Sequence, residues 1–309
     1  MDIYQGFDNI RESSIVIALG NFDGVHLGHR ELIRKTVETA GKENGIPAVL
    51  TFDPHPMKIL RSESCPPMLL TTQDKIRILS ELGIKLLIIT PFTFEIAGLQ
   101  PEQFVKDVLV EKLKVKTVVV GYNYSFGRHG TGNAGMLADL AGNYGLKVIV
   151  APPVRYGEIE ISSTLIRQLL LEGFVSEAAK YLGYFPFVSS RVVSGDCRGR
   201  EIGFPTANLD LPDGVLAPAR GVYAVRVYTG ADRFDGVANI GIKPTFGCAL
   251  PQNLEVHLFN FSGNIYGQII KVEFIERIRG EHSFSTIEEL IGQIHKDATA
   301  ARDILQSAG

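Results

Sequence analysis

Apolar runs and helical stripes alternate along the first 183 residues. Ser14-Ile15-Val16-Ile17-Ala18-Leu19 is an unbroken apolar, β-branched run and predicts a strand buried on both faces. Past a glycine-rich turn, residues 31–39 carry Leu32, Ile33, Thr36 and Val37 at helical spacing, with Arg34, Lys35 and Glu38 between them, which predicts an amphipathic helix. Further apolar strands are predicted at 46–52, 86–89, 117–121 and 146–150, with helices over 73–82, 101–113 and 134–144. Alternation of this kind predicts a parallel sheet with helices on both faces. Ligands of such sheets sit beyond the carboxyl ends of the strands. A helical pair over 163–182 closes this half, and Gly183-Tyr184-Phe185-Pro186 breaks the pattern, so a domain boundary is expected at 183/184.

Beyond it the texture changes to short alternating strands at 188–193, 221–228, 234–240, 254–259 and 269–275. Turn residues separate them at Thr229-Gly230-Ala231-Asp232 and Ser262-Gly263-Asn264. A small antiparallel barrel over 184–309 is expected. A helix over 286–304, with Ile287, Leu290, Ile291 and Ile294 in register, should pack on it.

Composition narrows the function classes. The 309 residues are 45% hydrophobic with a formal net charge of −3, which argues against a nucleic-acid binder or a membrane-surface protein. Cys65, Cys197 and Cys248 are few, odd in number and without metal spacing, as expected of reduced thiols in a cytoplasmic protein. No signal peptide or membrane span is expected from the apolar run lengths.

The chemistry concentrates in Gly20-Asn21-Phe22-Asp23-Gly24-Val25-His26-Leu27-Gly28-His29, between the first strand and the first helix. A helix N-terminus offers free N–H groups and a positive dipole end to an anion. Gly20, Gly24 and Gly28 permit close backbone approach. His26 and His29, three apart, can face one point and donate to phosphate oxygens as charge builds on them. No Lys follows as in a P-loop. Taken alone, the two histidines read first as one cap and one packed ring, and a metal pair lacks a third His, Cys or acid at ligand spacing nearby. Three later strand ends add to this. Asp53-Pro54-His55-Pro56 is either a stiff turn or a pocket wall. Gly121-Tyr122-Asn123-Tyr124-Ser125-Phe126-Gly127 is either a turn or a seat for an aromatic ring. Ser162-Ser163-Thr164, with Arg167 one turn on, is either an N-cap or a phosphate clamp.

In the second half, Gly195 to Asn208 combines glycines, Gly203 among them, with Thr206 and Asn208. This suits a phosphate and Mg²⁺ site, or a flexible loop. Along 253–258, Leu254, Val256 and Leu258 share one strand face while Glu255 and His257 share the other, where Glu255 could serve as a general base or merely face solvent.

The His-Leu-Gly-His turn resembles the signature of adenylyl/cytidylyl nucleotidyltransferases, and its fuller form resembles the flavin-specific branch. Gly203-Phe204-Pro205-Thr206-Ala207-Asn208, Ile240-Gly241-Ile242-Lys243-Pro244-Thr245-Phe246, Glu255 and Ile265-Tyr266-Gly267 resemble, in order, a riboflavin kinase signature. The whole chain thus resembles the bacterial bifunctional riboflavin kinase/FMN adenylyltransferase family. The resemblance implies a Rossmann-like nucleotidyltransferase domain followed by a β-barrel with a C-terminal helix. It implies ATP and Mg²⁺ at both steps, riboflavin and FMN as substrates, and FMN and FAD as products. His26 and His29 would stabilise the transferring phosphate. Gly20, Phe22, Gly24, Gly28, Ser162, Ser163, Thr164 and Arg167 would hold the nucleotide phosphates, and Asp53, Pro54, Pro56 and Asn123 would face the flavin. In the barrel, Gly195 and Gly203 would meet ATP, Thr206 and Asn208 would hold Mg²⁺ and phosphate, and Glu255 would take the proton of the ribityl hydroxyl. Arg279 and Phe284 would border the riboflavin. Asn123, Asn133, Asn260 and Asn264 stand where relatives often carry Asp. The family reading implies small-molecule partners, no nucleic acid, no membrane and, at most, a weak homo-oligomer. Two rivals remain open: a nucleotidyltransferase for another phosphorylated small molecule with a regulatory flavin-binding barrel, and a flavin-binding protein without turnover.

Overall fold

The computed structural model describes residues 1–309 apart from 9, 61, 62, 64, 196–198, 200–202, 243–251 and 309. The chain forms two compact units. One comprises Met1–Pro67 and Thr72–Ser162, the other Met68–Thr71 and Ser163–Gly309.

The first unit is built on a parallel sheet of β1 (Asp2–Gln5), β2 (Ile15–Leu19), β3 (Ile46–Phe52), β4 (Leu86–Thr90), β5 (Val115–Gly121) and β6 (Lys147–Ala151). Their order across the sheet is β1-β4-β3-β2-β5-β6. The central strands are apolar throughout because both faces are covered. Ile17, Leu19, Leu50, Ile88 and Val120 pack with Val105 and Leu109 of the helical stretch Phe104–Lys112 and with Leu137 of Ala134–Gly142. Successive strand residues point to opposite faces. Val16, Ala18, Val49, Leu87 and Val119 are accordingly buried on the other side, where the helix Leu27–Glu43 lies against β2, β3 and β5. The strand order reverses between β2 and β5, which places the end of β2 at the topological switch point. β1 is the one sheet strand the apolar pattern does not announce. It is an edge strand with three of its four residues exposed.

The second unit is a closed barrel of β7 (Phe187–Val193), β8 (Ala207–Leu209), β9 (Gly221–Thr229), β10 (Asp232–Ile242), β11 (Gln252–Leu258) and β12 (Ile269–Arg279), in the order β7-β8-β11-β10-β9-β12. All described ladders are antiparallel. Tyr223 and Phe274 meet edge to face at 5.4 Å in its core. Ala298, Ala301 and Leu305 of the helix Ile287–Ser307 pack on Val222, Ala224, Val237 and Ile275. Thr286 caps that helix by accepting from the Glu289 N–H.

The units divide at 162/163, one helical pair earlier than the 183/184 boundary expected from the sequence. The pair, Ser163–Glu172 and Val175–Leu182, packs with the barrel. Arg277 of β12 donates to the Glu172 carbonyl and to the Arg220 carbonyl, and Ala219 N–H donates to the Leu170 carbonyl. Gly183 ends a helix in left-handed conformation (φ 77°), which accounts for its signal in the sequence.

Candidate active sites

The nucleotide turn runs from the end of β2 to the start of the helix at Leu27. That start lies four residues before residue 31, where the sequence pattern predicts the helix to begin. His26 is the N-cap, with extended backbone, and its Nδ1 accepts the His29 N–H at 3.3 Å. A neutral ring that accepts at Nδ1 carries its proton on Nε2. The His26 and His29 rings stack at 3.7 Å and 16°, and Phe22 lies 5.2 Å from His29. The two histidines therefore form one unit, as their spacing predicts. Gly28 makes room for it, because a Cβ there would stand 3.1 Å from His26 Nδ1 and Cε1.

The backbone of this turn is strained. Phe22 (φ 50°) and the β-branched Val25 (φ 34°) occupy the left-handed region, and both side chains are fully buried. Each such residue costs on the order of 1–3 kcal/mol and persists only where packing enforces it. Burial pushes the His29 imidazole well below its ordinary range, with the His26 ring and the Lys75 ammonium acting in the same direction. His29 Nδ1 is buried and has no hydrogen-bond partner among the described residues.

The loop after β3 reaches the turn by an unassigned residue. His55 Nε2 lies 3.1 Å from the Asn21 amide, and His55 Nδ1 accepts the Met57 N–H at 3.2 Å. Because Nδ1 accepts, the neutral ring donates from Nε2, which faces Asn21 Nδ2; turning that amide by 180°, which swaps its nitrogen and oxygen, pairs the two groups. Asp53, joined to Pro54 by a cis peptide bond, accepts from Thr72 Oγ1 at 2.6 Å, and Pro56 opens a short helix, Pro56–Leu60. After β5, Tyr122 and Asn123 are exposed. Tyr124 instead stacks on Phe126 at 5.8 Å within the core, and burial pushes its phenol well above the usual range. Tyr122, Asn123 and Ser125 thus remain at the surface while Tyr124 and Phe126 turn inward. Ser163 and Thr164 form the first turn of Ser163–Glu172, Ser162 precedes it directly, and Arg167 follows one turn on, part-buried.

On the barrel, Asn208 of β8 pairs with Glu255 of β11, and Glu255 pairs in turn with Asn239 of β10, so the three share one face. Leu254 and Val256 fill the opposite face with no exposure, as the alternation predicts. Asn253 Nδ2 donates to Glu255 Oε1 at 2.8 Å and approaches Asn208 Oδ1 at 3.4 Å. The glycines of the preceding segment are steric necessities. A Cβ on Gly195 would fall 2.2 Å from Asn208 Nδ2, and one on Gly199 would fall 2.3 Å from the Phe204 carbonyl oxygen and 3.3 Å from Thr206 Oγ1. Gly203 has a φ of 84°. Phe204 stands edge-on to His257 at 5.3 Å and to His295 at 4.8 Å, and His257 Nδ1–H donates to the Pro205 carbonyl at 2.8 Å. Cys197, Lys243 to Phe246 and Cys248 lie outside the described residues.

Arg279 is held by a residue that the sequence did not single out. Its Nε donates to both Asp297 oxygens at 3.0 Å and its Nη2 to Oδ2 at 2.8 Å, while Phe284 lies 5.7 Å from the guanidinium. Asp297 is 4% exposed and also accepts from Gln293 at 2.8 Å. Three of the four asparagines singled out in the sequence serve as turn and cap residues. Asn133 accepts the Met136 N–H, Asn264 accepts the Tyr266 N–H, and Asn260 takes a φ of 55°.

Among the described residues no three His, Cys, Asp or Glu side chains gather as a metal cluster. Thr206 and Asn208 present neutral oxygens, a donor set that fits Mg²⁺, which binds through few protein oxygens together with phosphate and water. The close approach of Gly195 to Asn208 keeps that wall of the site free of a side chain.

Comparison with known proteins matches each half separately. A family model described as FAD synthetase covers residues 8–165, and one described as riboflavin kinase covers residues 182–305. The bifunctional riboflavin kinase/FMN adenylyltransferase of Bacillus subtilis (strain 168) is 38% identical over 294 residues, 94% of this chain and 92% of the relative. The protein of the same name from Buchnera aphidicola subsp. Schizaphis graminum (strain Sg) is 36% identical over 302 residues, 96% of each chain. A crystal structure from Streptococcus pneumoniae, described as a macrolide-efflux protein, superposes with a TM-score of 0.87 at 32% identity, covering 97% of this chain and 98% of that one. No helix among the described residues here is long and apolar enough to cross a membrane. With both halves matched and the likeness running over nearly the full length, the chain belongs to the bifunctional riboflavin kinase/FMN adenylyltransferase family.

Proposed function

We infer that the chain phosphorylates riboflavin to FMN with ATP in its second half and adenylylates FMN to FAD in its first, releasing pyrophosphate. The observation that carries this is the separate family match of each half, on a chain whose named relatives hold both activities. The kinase substrates are riboflavin and ATP, and those of the second reaction are FMN and ATP.

In adenylyl transfer an FMN phosphate oxygen attacks the α-phosphorus of ATP, and pyrophosphate leaves with the bond electrons. His26, protonated at Nε2, and His29 donate to the transferring phosphate as charge accumulates there. Gly20, Phe22, Gly24 and Gly28 shape the turn around the nucleotide. Ser162, Ser163, Thr164 and Arg167 supply hydroxyls, helix-start N–H groups and a guanidinium to the leaving pyrophosphate. Asp53, Pro54, Pro56 and Asn123 face the flavin. Catalysis consists of positioning and charge stabilisation.

In the kinase half, Glu255, oriented by Asn253, accepts the proton of the ribityl 5′-hydroxyl as that oxygen attacks the γ-phosphorus and ADP leaves. Mg²⁺ held by Thr206 and Asn208 would neutralise phosphate charge. Gly195 and Gly203 let backbone approach the ATP phosphates. Arg279 and Phe284 border the riboflavin, the former fixed by Asp297. A cytoplasmic setting agrees with three widely spaced cysteines.

The test is an incubation of purified protein with riboflavin, ATP and Mg²⁺, with flavins separated over time. FMN should appear first and FAD later. Absence of product from riboflavin, with FAD formed from supplied FMN, would demote the barrel to a binding or regulatory role.

A further inference from the structure

We propose that Lys75 is a positioning residue for adenylyl transfer: its ammonium fastens the Asn21 carbonyl, fixing the shape of the nucleotide turn. The inference rests on the reading of that turn as the FMN-adenylylating site.

Lys75 lies in the helix Thr72–Glu81 on the same stripe as Ile78 and Leu79, all three buried. A lysine on an apolar stripe is a poor choice for packing. Removing an ammonium from water costs several kcal/mol unless good partners replace the solvent. The chain places this group against the turn instead, where Nζ donates to the Asn21 carbonyl at 2.9 Å. The same carbonyl accepts from Thr51 Oγ1 at 3.0 Å, and the Asn21 side chain meets His55. Asn21 is thus pinned from three sides, immediately before Phe22 and four residues before Val25, the two left-handed non-glycine residues of the turn. Strain of that kind needs external enforcement. Lys75 supplies part of it from outside the turn.

The charge has a second effect. Burial pulls the Lys75 pKa below its ordinary value, while Asp23 and Asp53 partly offset this by favouring the ammonium. The groups facing His29 electrostatically are His26 and Lys75, and both oppose its protonation after burial has already done so. His29 therefore stays neutral, with an N–H to donate, and gains no charge that would retain pyrophosphate.

Full-length wild type, Lys75→Met and Lys75→Arg are assayed for FMN adenylylation from about pH 5 to 9, the range over which imidazoles change charge, with riboflavin phosphorylation in the same preparations as the control for folding. Lys75→Met should lower the adenylylation kcat roughly 10–100-fold, the scale set by small misplacements of catalytic groups. It should change the KM for FMN little, and it should move the acid limb of the kcat profile only slightly to higher pH, because burial still holds the His29 imidazole low. Lys75→Arg, which keeps the charge and N–H donors, should recover most of the rate and the limb. Wild-type rate and pH profile in Lys75→Met overturn the inference. So does loss of both activities, because a role confined to the turn leaves the barrel working. Wild-type protein that forms no FAD from FMN overturns the functional reading itself, so the two failures are told apart.

Discussion

Replacing Asp297 by Ala should loosen the barrel unit far more than an ordinary helix substitution. Asp297 is 5% exposed at its side chain and its partner Arg279 is 23% exposed, so solvent screens the pair little. Three N–O contacts of 2.8–3.0 Å join them, and Gln293 donates a fourth bond to the carboxylate. Truncating one member of such a pair leaves the other charge partly buried and costs about 3–5 kcal/mol. Against a domain stability of roughly 5–15 kcal/mol, that is a large fraction. The docking of Ala298, Ala301 and Leu305 on the barrel remains, so the unit should stay folded in buffer. With a urea dependence of about 2 kcal/mol/M, the midpoint for loss of barrel structure should fall by roughly 1.5–2.5 M. Hydrogen exchange of β9 and β12 against urea reads this unit separately from the parallel sheet. The double variant Arg279→Met/Asp297→Leu should regain much of the loss, because no buried charge is then left alone. A midpoint in Asp297→Ala equal to wild type would refute the view that this pair fastens the C-terminal helix.

Gly195→Ala should impair the kinase alone. The new Cβ would lie 2.2 Å from Asn208 Nδ2, forcing that side chain back by about 1 Å, a displacement worth roughly 10²-fold in kcat; unchanged riboflavin phosphorylation would contradict the placement of Asn208. His29 makes stability depend on pH in a stated direction. Its folded-state pKa lies well below the unfolded value near 6.5, so the unfolded chain binds more protons and the first unit loses stability as pH falls through about 6.5, with no further change from this group above that value. Urea midpoints measured above and below that pH in wild type and His29→Gln check this, since the variant should lose that part of the slope.

The core of both units was legible in the sequence because β-branched runs bury both faces of a strand and leave no ambiguity of period. β2 to β5 are such runs. The alternation at 254–258 separated Glu255 from the apolar face correctly. Features that depend on tertiary contact were not legible. β1 is a polar edge strand, and β8 lies in a segment whose glycines and prolines read as loop. Lys75 and Asp297 escaped notice because each is a single charge within an ordinary helical stretch. A signal did exist, since both stand on the apolar stripe, Lys75 with Ile78 and Leu79, and Asp297 with Ala298 and Ala301. A charge at a stripe position is forced toward the core, and its partner lies far away in sequence. The contact division at 162/163 differs from the 183/184 boundary for a related reason. A left-handed glycine ends a helix whether or not the next residue joins another unit.

The central claim is that two separate sets of residues perform two reactions. It is tested most directly by measuring FMN and FAD formation side by side in His29→Ala and Glu255→Ala. His29→Ala should depress FAD formation by about 10²–10³-fold, as for loss of a donor to developing charge, and spare FMN formation. Glu255→Ala should depress FMN formation by roughly 10²–10⁴-fold, as for loss of a general base, and spare FAD formation from supplied FMN. Loss of both activities from either substitution, in protein that remains folded, would contradict the account.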